Sequence, residues 1–284
     1  MDDSNFLTGW DQESEAADFA NLMNYQEYCG GEQFIFQWSE VRERIYEEAK
    51  LYNHWQVVHP KLNYTVAQTK TNGCVSYGVS AAIEDSLCLA RQKEKEVEVF
   101  RCCAPWLYGG YHNMIKGRPG TGGCSVSGMM RFIAEYGILP YDTQPKIYDD
   151  GEVDWNRNAK SWKQVYEKFG GEAEKYQIKV AKLPRHFEDV VACLKAGYTV
   201  PYGTDMKLAL DKKTGFYYLS GRTAHCMSWS GFGGDFTYNK NSWCDGRGKQ
   251  RLADVQKQVN SEYFDCFVIL DIERTRKAKA NYGL

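Results

Sequence analysis

Three side chains in this sequence, Cys74, His225 and Asn241, are of the types that form and hold a reactive thiolate. Cys74 follows Gly73 and precedes a run of small and apolar residues, 75–83, which predicts a helix that starts at the cysteine. At a helix start, unpaired backbone N–H groups and the positive end of the helix dipole stabilise an anion. A histidine that takes the thiol proton and an asparagine that orients the imidazole complete a set for nucleophilic catalysis.

Each of these residues has a more ordinary interpretation when it is taken alone. Free cysteines are among the most buried residues, and a single asparagine usually marks a turn. The arrangement along the chain favours the catalytic interpretation. His225 opens an apolar, strand-like segment in the second half of the chain, and Asn241 follows another such segment and precedes Trp243 by two positions.

The surrounding sequence predicts a helical first part and a strand-rich second part, which is an α+β pattern. Helices are predicted at 74–93, from Pro105 onward, at 125–136 and at 187–196. Strands are predicted at 176–180, 198–202, 215–219, 225–229, 236–238 and 264–271. Residues 141–175 are polar and rich in Trp and Tyr, so we expect an irregular surface segment there.

The composition excludes several classes of function. The chain has 284 residues, 43% of them hydrophobic, and its 35 Lys and Arg residues nearly balance 37 Asp and Glu residues, for a net charge of −2. This balance predicts no nucleic-acid partner and no anionic membrane surface. The sequence has neither a signal-like start nor a run of about 18 apolar residues, so we expect a soluble protein in the cytoplasm or in an assembled particle.

Neither a metal nor a cofactor is predicted. The ten cysteines form no Cys-x-x-Cys pair, and the glycine-rich loop 116–123 matches neither a phosphate loop nor a dinucleotide motif. Because the chain is long and lacks a signal segment, we expect its cysteines to be free thiols. The adjacent glycines Gly122 and Gly123 instead suit the close approach of another backbone.

Charge and pattern divide the chain into three units. Residues 1–50 carry twelve acidic and three basic residues and form an acidic extension, while 273–284 form a short basic tail. Between them, 51–272 hold a helical lobe at about 68–140 and a sheet lobe at about 176–272. The extension has three interpretations: an arm that docks on a neighbouring chain of a larger assembly, which we favour, a short inhibitory pro-segment, or a solvated extension.

The sequence resembles the papain-like cysteine peptidases over about residues 52–272. Four stretches carry the resemblance in the family's order: Gln68 six positions before Cys74, the pair Gly122-Gly123, His225 with Gly231 six positions later, and Lys240-Asn-Ser-Trp243. Each match is weak alone, whereas the four together are specific.

The resemblance implies a two-lobe papain-like fold, in which a helical lobe packs on an antiparallel β-sheet or barrel-like lobe with the active-site cleft between them. It implies hydrolysis of a peptide or protein substrate, with Cys74 as the nucleophile, His225 as the acid and base, and Asn241 as the residue that orients the imidazole. Gln68 and the backbone N–H of Cys74 would form the oxyanion hole. Trp243 would shield the hydrogen bond of the imidazole from water.

The resemblance also implies positions for the substrate. Gly122 and Gly123 would pair with the substrate backbone as an added strand. Side-chain selectivity would depend on the positions near Cys124, Pro201 and Ala224.

Several positions depart from the family's pattern. Val75 stands where the family has a tryptophan, and Ala224 where it has an aspartate; neither change removes a catalytic atom. Thr71 and Gly120 replace a disulfide pair, which fits a reducing compartment. Arg247 replaces an aromatic residue on the leaving side, where we expect it to favour an acidic group of the substrate.

Two alternatives to a peptidase stay open from the sequence. The fold can serve as a structural or assembly subunit, for example of a viral particle, with weak or no catalysis and with residues 1–50 as the docking element. The same nucleophile can also hydrolyse an isopeptide or a cell-wall amide, because a fold does not determine the bond that is cleaved.

Overall fold

The computed structural model describes residues 10–11, 14, 72–92, 99–117, 122–143, 162–182, 186–243 and 246–274. Gln68, Thr71 and Gly120 lie outside the described residues, as do most of the acidic extension and most of the basic tail. The roles predicted for these residues therefore stay predictions.

Helices form the first part of the described chain. They are α1 Cys74–Gln92, α2 Ala104–Gly110, α3 Val126–Tyr136 and α4 Trp162–Ala173, with a π-helical turn, Tyr111–Ile115, that continues α2. Pro105 lies in the first turn of α2, where its missing N–H leaves no hydrogen bond unmade. Ser125 caps α3 by accepting a hydrogen bond from the Gly128 N–H at 3.0 Å, and Gly137 ends α3 with a φ of +76°.

Strands form the second part and make one sheet. They are β1 Tyr176–Lys182, β2 Val200–Asp211, β3 Phe216–Phe232, β4 Phe236–Asn241, β5 Gly246–Arg251 and β6 Phe264–Arg274. Within the described residues the strand order is β1-β6-β2-β3-β4-β5, with antiparallel neighbours, and β3 also pairs in parallel with β5. Two short helices, α5 Phe187–Lys195 and α6 Leu252–Val259, precede β2 and β6. The α+β fold, with a helical lobe packed on an antiparallel sheet lobe, is confirmed.

β3 is one strand of 17 residues, whereas the sequence predicts two separate strands over the same region. The polar stretch 220–223 interrupts the apolar pattern, which is typical of a turn. In the structure this stretch is part of a long hairpin with β2, and Lys207 pairs with Gly221. The hairpin extends beyond the core here, so its side chains face solvent and the apolar pattern is lost without a break in the strand.

The prediction that 141–175 form an irregular surface segment is wrong for its last part. Residues 162–173 are the helix α4, and Trp162 and Val165 are buried on its inner face. The ring of Trp162 packs against the ring of Trp106, with 4.5 Å between the centroids. Gly170 and Gly171 near the end of α4 obscure the helical pattern in the sequence.

α1 is the helix that joins the two lobes. It packs on α2 and α3 on one side and on β3, β2 and β6 on the other. Its residues Cys74, Val75, Val79 and Ile83 are fully buried in an apolar cluster that also includes Cys226 of β3. Among the described helices, none is long and apolar enough to cross a membrane.

Candidate active site

Cys74 is the first residue of α1, so the helix start predicted at the cysteine is confirmed. The carbonyl of Gly73 accepts a hydrogen bond from the Tyr77 N–H at 3.1 Å, which is the first bond of the helix. The backbone N–H groups of the first turn have no partner within the helix itself, as at any helix start. The Cys74 side chain is 0% exposed. A negative charge on its sulfur would be stabilised by the helix dipole.

The next turn of α1 fixes the distance between this helix and β3. A Cβ atom on Gly78 would lie 2.9 Å from the sulfur of Cys226 and 3.2 Å from its backbone. Only a residue without a side chain lets α1 approach β3 so closely. Cys226 directly follows His225, so the close contact brings the start of α1 to the part of β3 that carries the histidine.

His225 is held by Asn241. Its Nε2 lies 2.8 Å from Oδ1 of Asn241, and because an amide oxygen can only accept, Nε2 carries the proton and donates it. In the neutral imidazole Nδ1 is therefore the basic nitrogen. Nδ1 is buried, and it makes no hydrogen bond to any residue that the structure describes. The ring thus presents an unprotonated nitrogen that is available for a thiol proton.

Trp243 covers this hydrogen bond. Its ring stacks on the imidazole of His225, with 4.0 Å between the centroids and 26° between the planes. The Trp243 backbone N–H donates to Oδ1 of Asn241 at 3.3 Å, so the turn itself helps to orient the amide. Trp243 and Asn241 are both buried, and the stack excludes water from the hydrogen bond. The contacts that the resemblance implies among these three residues are present.

The charge state of His225 depends on its surroundings. Burial lowers the pKa of the imidazole from 6.5 to about 4, although the hydrogen bond with Asn241 raises it. An imidazolium at this place therefore requires a neighbouring anion. A thiolate is such an anion.

The backbone at Gly122 is held by two side chains that the sequence did not single out. The Gly122 carbonyl accepts a hydrogen bond from the hydroxyl of Tyr108 at 3.0 Å and lies 3.0 Å from Nε2 of His112. Burial raises the pKa of Tyr108, and the thiols of Cys124 and Cys74 raise it further. The contacts of Tyr108 and His112 hold the Gly122 carbonyl two positions before Cys124.

Another backbone does approach this segment, and it belongs to the acidic extension. Trp10 forms a parallel bridge with Cys124, and the Asp11 N–H donates to the Cys124 carbonyl at 2.8 Å. The indole of Trp10 is buried over Gly203 of β2, where a Cβ atom would lie 2.3 Å from the ring. Gly203 thus forms the floor of a pocket that an aromatic side chain fills.

A salt bridge fastens the same segment. Asp11 pairs with Lys116 and also accepts hydrogen bonds from the N–H and the hydroxyl of Ser14. Burial raises the pKa of Asp11, but the bonds from Lys116 and Ser14 outweigh burial and lower the pKa below 3.8. Through Trp10 and Asp11 the extension therefore contacts the rest of its own chain.

The other residues predicted for substrate binding lie close to this pocket, with one exception. Pro201 is buried on β2 two positions before Gly203, and Ala224 packs against the apolar cluster that contains Cys74, Cys124 and Trp10. Alternate residues of a strand share a face, so Pro201 and Gly203 lie on the same side of β2. It is Gly203 that meets the aromatic ring.

Arg247 is the exception. Its guanidinium forms a bidentate ion pair with Asp85 of α1, and the side chains are only 6% and 2% exposed. A guanidinium that is committed to a buried carboxylate has little capacity left for an acidic group of a substrate. We therefore withdraw the prediction that Arg247 binds the leaving side of a substrate.

The remaining chemistry of the described residues is limited. No disulfide bond joins the described cysteines to one another: Cys74, Cys88, Cys102, Cys103, Cys124, Cys193, Cys226 and Cys266. No group of three or more His, Cys, Asp or Glu side chains in this part of the chain could hold a metal ion.

Two solved structures of proteases are similar to this chain in fold. Xylellain, a cysteine protease from Xylella fastidiosa, is 16% identical with a TM-score of 0.56, over 81% of this chain and 88% of its own. Procathepsin B S9 from Trypanosoma congolense is 15% identical with a TM-score of 0.53, over 92% of this chain and 85% of its own. No family model matches the chain, and no curated protein matches it in sequence.

Proposed function

We propose that this chain, which has the papain-like fold of both similar structures, is a cysteine peptidase with Cys74 as the nucleophile. The observation that carries the proposal is the buried imidazole of His225, whose Nε2 is held by Asn241 under the ring of Trp243 while Nδ1 has no hydrogen-bond partner in the described part. Most buried polar side-chain atoms in folded proteins have a hydrogen-bond partner, so an unbonded Nδ1 beside a fixed Nε2 supports a functional role.

The first half of the reaction transfers the acyl group of the substrate to sulfur. His225 takes the thiol proton of Cys74 at Nδ1, and the thiolate attacks the carbonyl carbon of the scissile bond. The imidazolium then gives this proton to the leaving nitrogen, and the C–N bond breaks as the amine departs. The acyl group remains on Cys74 as a thioester.

The second half hydrolyses the thioester. A water molecule gives one proton to Nδ1 of His225 while its oxygen attacks the thioester carbon. The C–S bond breaks, the carboxylic acid departs, and Cys74 recovers its proton from His225. Asn241 holds the imidazole in the same tautomer in both halves, because its amide oxygen accepts only from a protonated Nε2.

The negative oxygen of each tetrahedral intermediate requires donors. The backbone N–H of Cys74 at the start of α1 is one, and the side-chain amide of Gln68 is proposed as the second. Loss of one such donor typically lowers kcat by about 10² to 10³.

The backbone at Gly122 and Gly123 is the proposed docking site for the substrate backbone. Support comes from the bonds that hold the Gly122 carbonyl and from the backbone of Trp10 and Asp11, which already pairs with the adjacent Cys124. A substrate that adds to this segment must displace Trp10. The same pocket over Gly203 would then take a bulky side chain of the substrate.

Replacement of Trp10 by alanine is expected to increase peptide hydrolysis about tenfold or more, mainly through a lower KM. Truncation of a buried tryptophan to alanine typically costs about 3 to 5 kcal/mol, so its loss should release the segment from the cleft. The measurement is kcat/KM on a fluorogenic peptide, with Tyr263→Ala, a change at an exposed aromatic residue, as the control. Unchanged kinetics in the Trp10 variant would show that the segment does not obstruct the substrate.

The proposed function is tested by covalent capture. The full chain is incubated with a peptidyl vinyl sulfone, in which a peptide directs the electrophile to a peptidase cleft, and with the same electrophile without the peptide. We expect one equivalent of the peptidyl probe on Cys74 and hydrolysis of the corresponding peptide amide. If the peptide amide is not hydrolysed and the peptidyl probe labels Cys74 no more than the probe without the peptide does, an assembly subunit of papain-like fold is favoured over a peptidase.

A further inference from the structure

We propose that the buried ion pair between Asp85 and Arg247 positions the turn that carries Asn241 and Trp243, and that Arg247 is thereby a positioning residue for the catalytic imidazole. The inference rests on the proposed function, and it gives Arg247 a role other than the substrate contact that we predicted from the sequence. Arg247 Nη1 lies 2.8 Å from Oδ2 of Asp85, and Nη2 contacts Oδ1, so the planar guanidinium meets the carboxylate with two parallel bonds.

The pair joins the elements that carry the proposed catalytic residues. Asp85 lies on α1 about three helical turns after Cys74 and thus on the same side of the helix. Arg247 is the second residue of β5, just after the turn that holds Trp243. Its Nη1 also lies 3.4 Å from the hydroxyl of Ser230 on β3, the strand of His225. One guanidinium therefore contacts α1 and β3 from β5.

A second, weaker ion pair lies beside the first. Lys240 is the residue before Asn241 and pairs with Arg247 across β4 and β5. Its Nζ lies 3.5 Å from Oε2 of Glu84, the residue that precedes Asp85 on α1. Two adjacent acidic residues of one helix thus hold two basic residues that face each other across the start of the turn. The next pair along these strands is Asn241 with Gly246, so the two ion pairs lie one position from the residue that orients the imidazole.

The geometry explains why an arginine stands at this position. A buried ion pair contributes little net stability, because desolvation of both charges offsets their attraction. A bidentate arginine–carboxylate pair does fix the relative orientation of the two elements that it joins. A lysine would preserve the charge but not the two parallel bonds. In the family that the sequence resembles, an aromatic residue commonly stands here, so this chain holds its turn by a different contact.

The experiment compares Arg247→Lys with wild type, and Arg131→Lys is the matched control. Arg131 also pairs with an acidic residue, Glu135, but it lies on α3 within the helical lobe. We expect Arg247→Lys to keep KM within about twofold and to lower kcat by about 10- to 100-fold, because a small misplacement of the imidazole slows both proton transfers. Arg131→Lys should leave both constants unchanged.

A double variant separates positioning from stability. Arg247→Met alone leaves the carboxylate of Asp85 buried without a partner, and we expect a lower Tm. In Asp85→Leu/Arg247→Met both charges are removed, so we expect Tm to recover while kcat stays low. Recovery of kcat together with Tm would show that the pair only stabilises the fold and would overturn the inference.

A readout other than activity keeps this inference distinct from the proposed function. The hydrogen-bonded and buried Nε2–H proton of His225 is expected to give a slowly exchanging imidazole signal in NMR spectra of the wild-type chain. We expect Arg247→Lys to broaden or lose this signal, while Arg131→Lys retains it. Persistence of the signal in Arg247→Lys would overturn the inference, even in a chain that cleaves no peptide. If the wild-type chain cleaves no peptide and Arg247→Lys still loses the signal, the result would support the positioning role. It would contradict only the proposed function.

Discussion

Replacement of Cys74 by alanine is expected to lower kcat/KM for peptide hydrolysis by about 10⁴-fold or more. The variant retains the imidazole and the cleft but has no sulfur to accept the acyl group, and loss of a nucleophile removes most of the catalysis in such triads. The measurement is hydrolysis of a fluorogenic peptide by freshly purified protein. Cys88→Ala is the matched control, because Cys88 is also buried on α1 but belongs to the core, and this variant should retain wild-type rates. Equal rates for the Cys74 variant and wild type would assign the cleavage to another group.

The same variant has a predicted effect on stability at low pH. Without the thiolate, burial holds the pKa of His225 at about 4, whereas the unfolded chain binds this proton near pH 6.5. The unfolded state then binds more protons between these two values, so the free energy of unfolding falls by up to about 3 kcal/mol as pH falls from 6.5 to 4. Urea unfolding at pH 7 and at pH 4 measures this difference. The double variant Cys74→Ala/His225→Gln should lack it.

Replacement of His225 by glutamine is expected to lower kcat/KM by about 10³-fold or more. Glutamine can occupy much of the volume of the imidazole, but it cannot take a proton from sulfur or return it to the leaving nitrogen. Near neutral pH the rate of the variant should rise with pH, because hydroxide then has to deprotonate Cys74. His186→Gln is the control, since His186 is exposed and lies before α5. A wild-type rate and pH profile in the His225 variant would contradict the assigned base.

The helix start at Cys74 could be predicted from local sequence, whereas the contacts of His225 with Asn241 and Trp243 were implied by the resemblance to the papain-like peptidases. A glycine before Cys74 and small residues after it specify a helix start, and the motif around Asn241 places an amide and an indole two residues apart on one turn. The imidazole of His225 meets both in the structure. Local pattern thus specifies the helix start and the turn, and the resemblance supplies the expectation that the imidazole meets the turn.

The contacts of Trp10 and Arg247 could not be predicted, because each depends on a partner far along the chain. Nothing near Trp10 indicates that its ring fills the space above Gly203, since a glycine inside a strand pattern shows only that some group comes close. Asp85 follows Glu84 on α1, and only the folded structure shows that a guanidinium from β5 satisfies it. The position of Arg247 in the family's pattern suggested a substrate-facing role instead.

The least predictable elements were those whose composition does not match their structure. The strand β5, Gly246–Arg251, contains two glycines and three basic residues and no β-branched residue, yet it pairs with β4 along its whole length. Its Gln250 is fully buried and accepts a hydrogen bond from the indole of Trp229 at 2.9 Å. Pairing and burial in the sheet outweigh the low strand propensity of these residues.

The central claim is that Cys74 is a thiolate paired with His225, and the rate of its alkylation at pH 5 tests this most directly. Iodoacetamide is applied to the wild-type chain and to Trp10→Ala, and peptide mapping compares Cys74 with the other buried cysteines. An ordinary thiol with a pKa of about 8.5 is almost entirely protonated at pH 5, whereas a thiolate paired with an imidazolium stays ionised. The thiolate of a more acidic thiol is less nucleophilic, but its much larger ionised fraction outweighs this loss in the rate. We expect Cys74 to react at least about tenfold faster than any other cysteine. A rate for Cys74 no higher than that of Cys88 in both proteins would contradict the ion pair and the mechanism built on it.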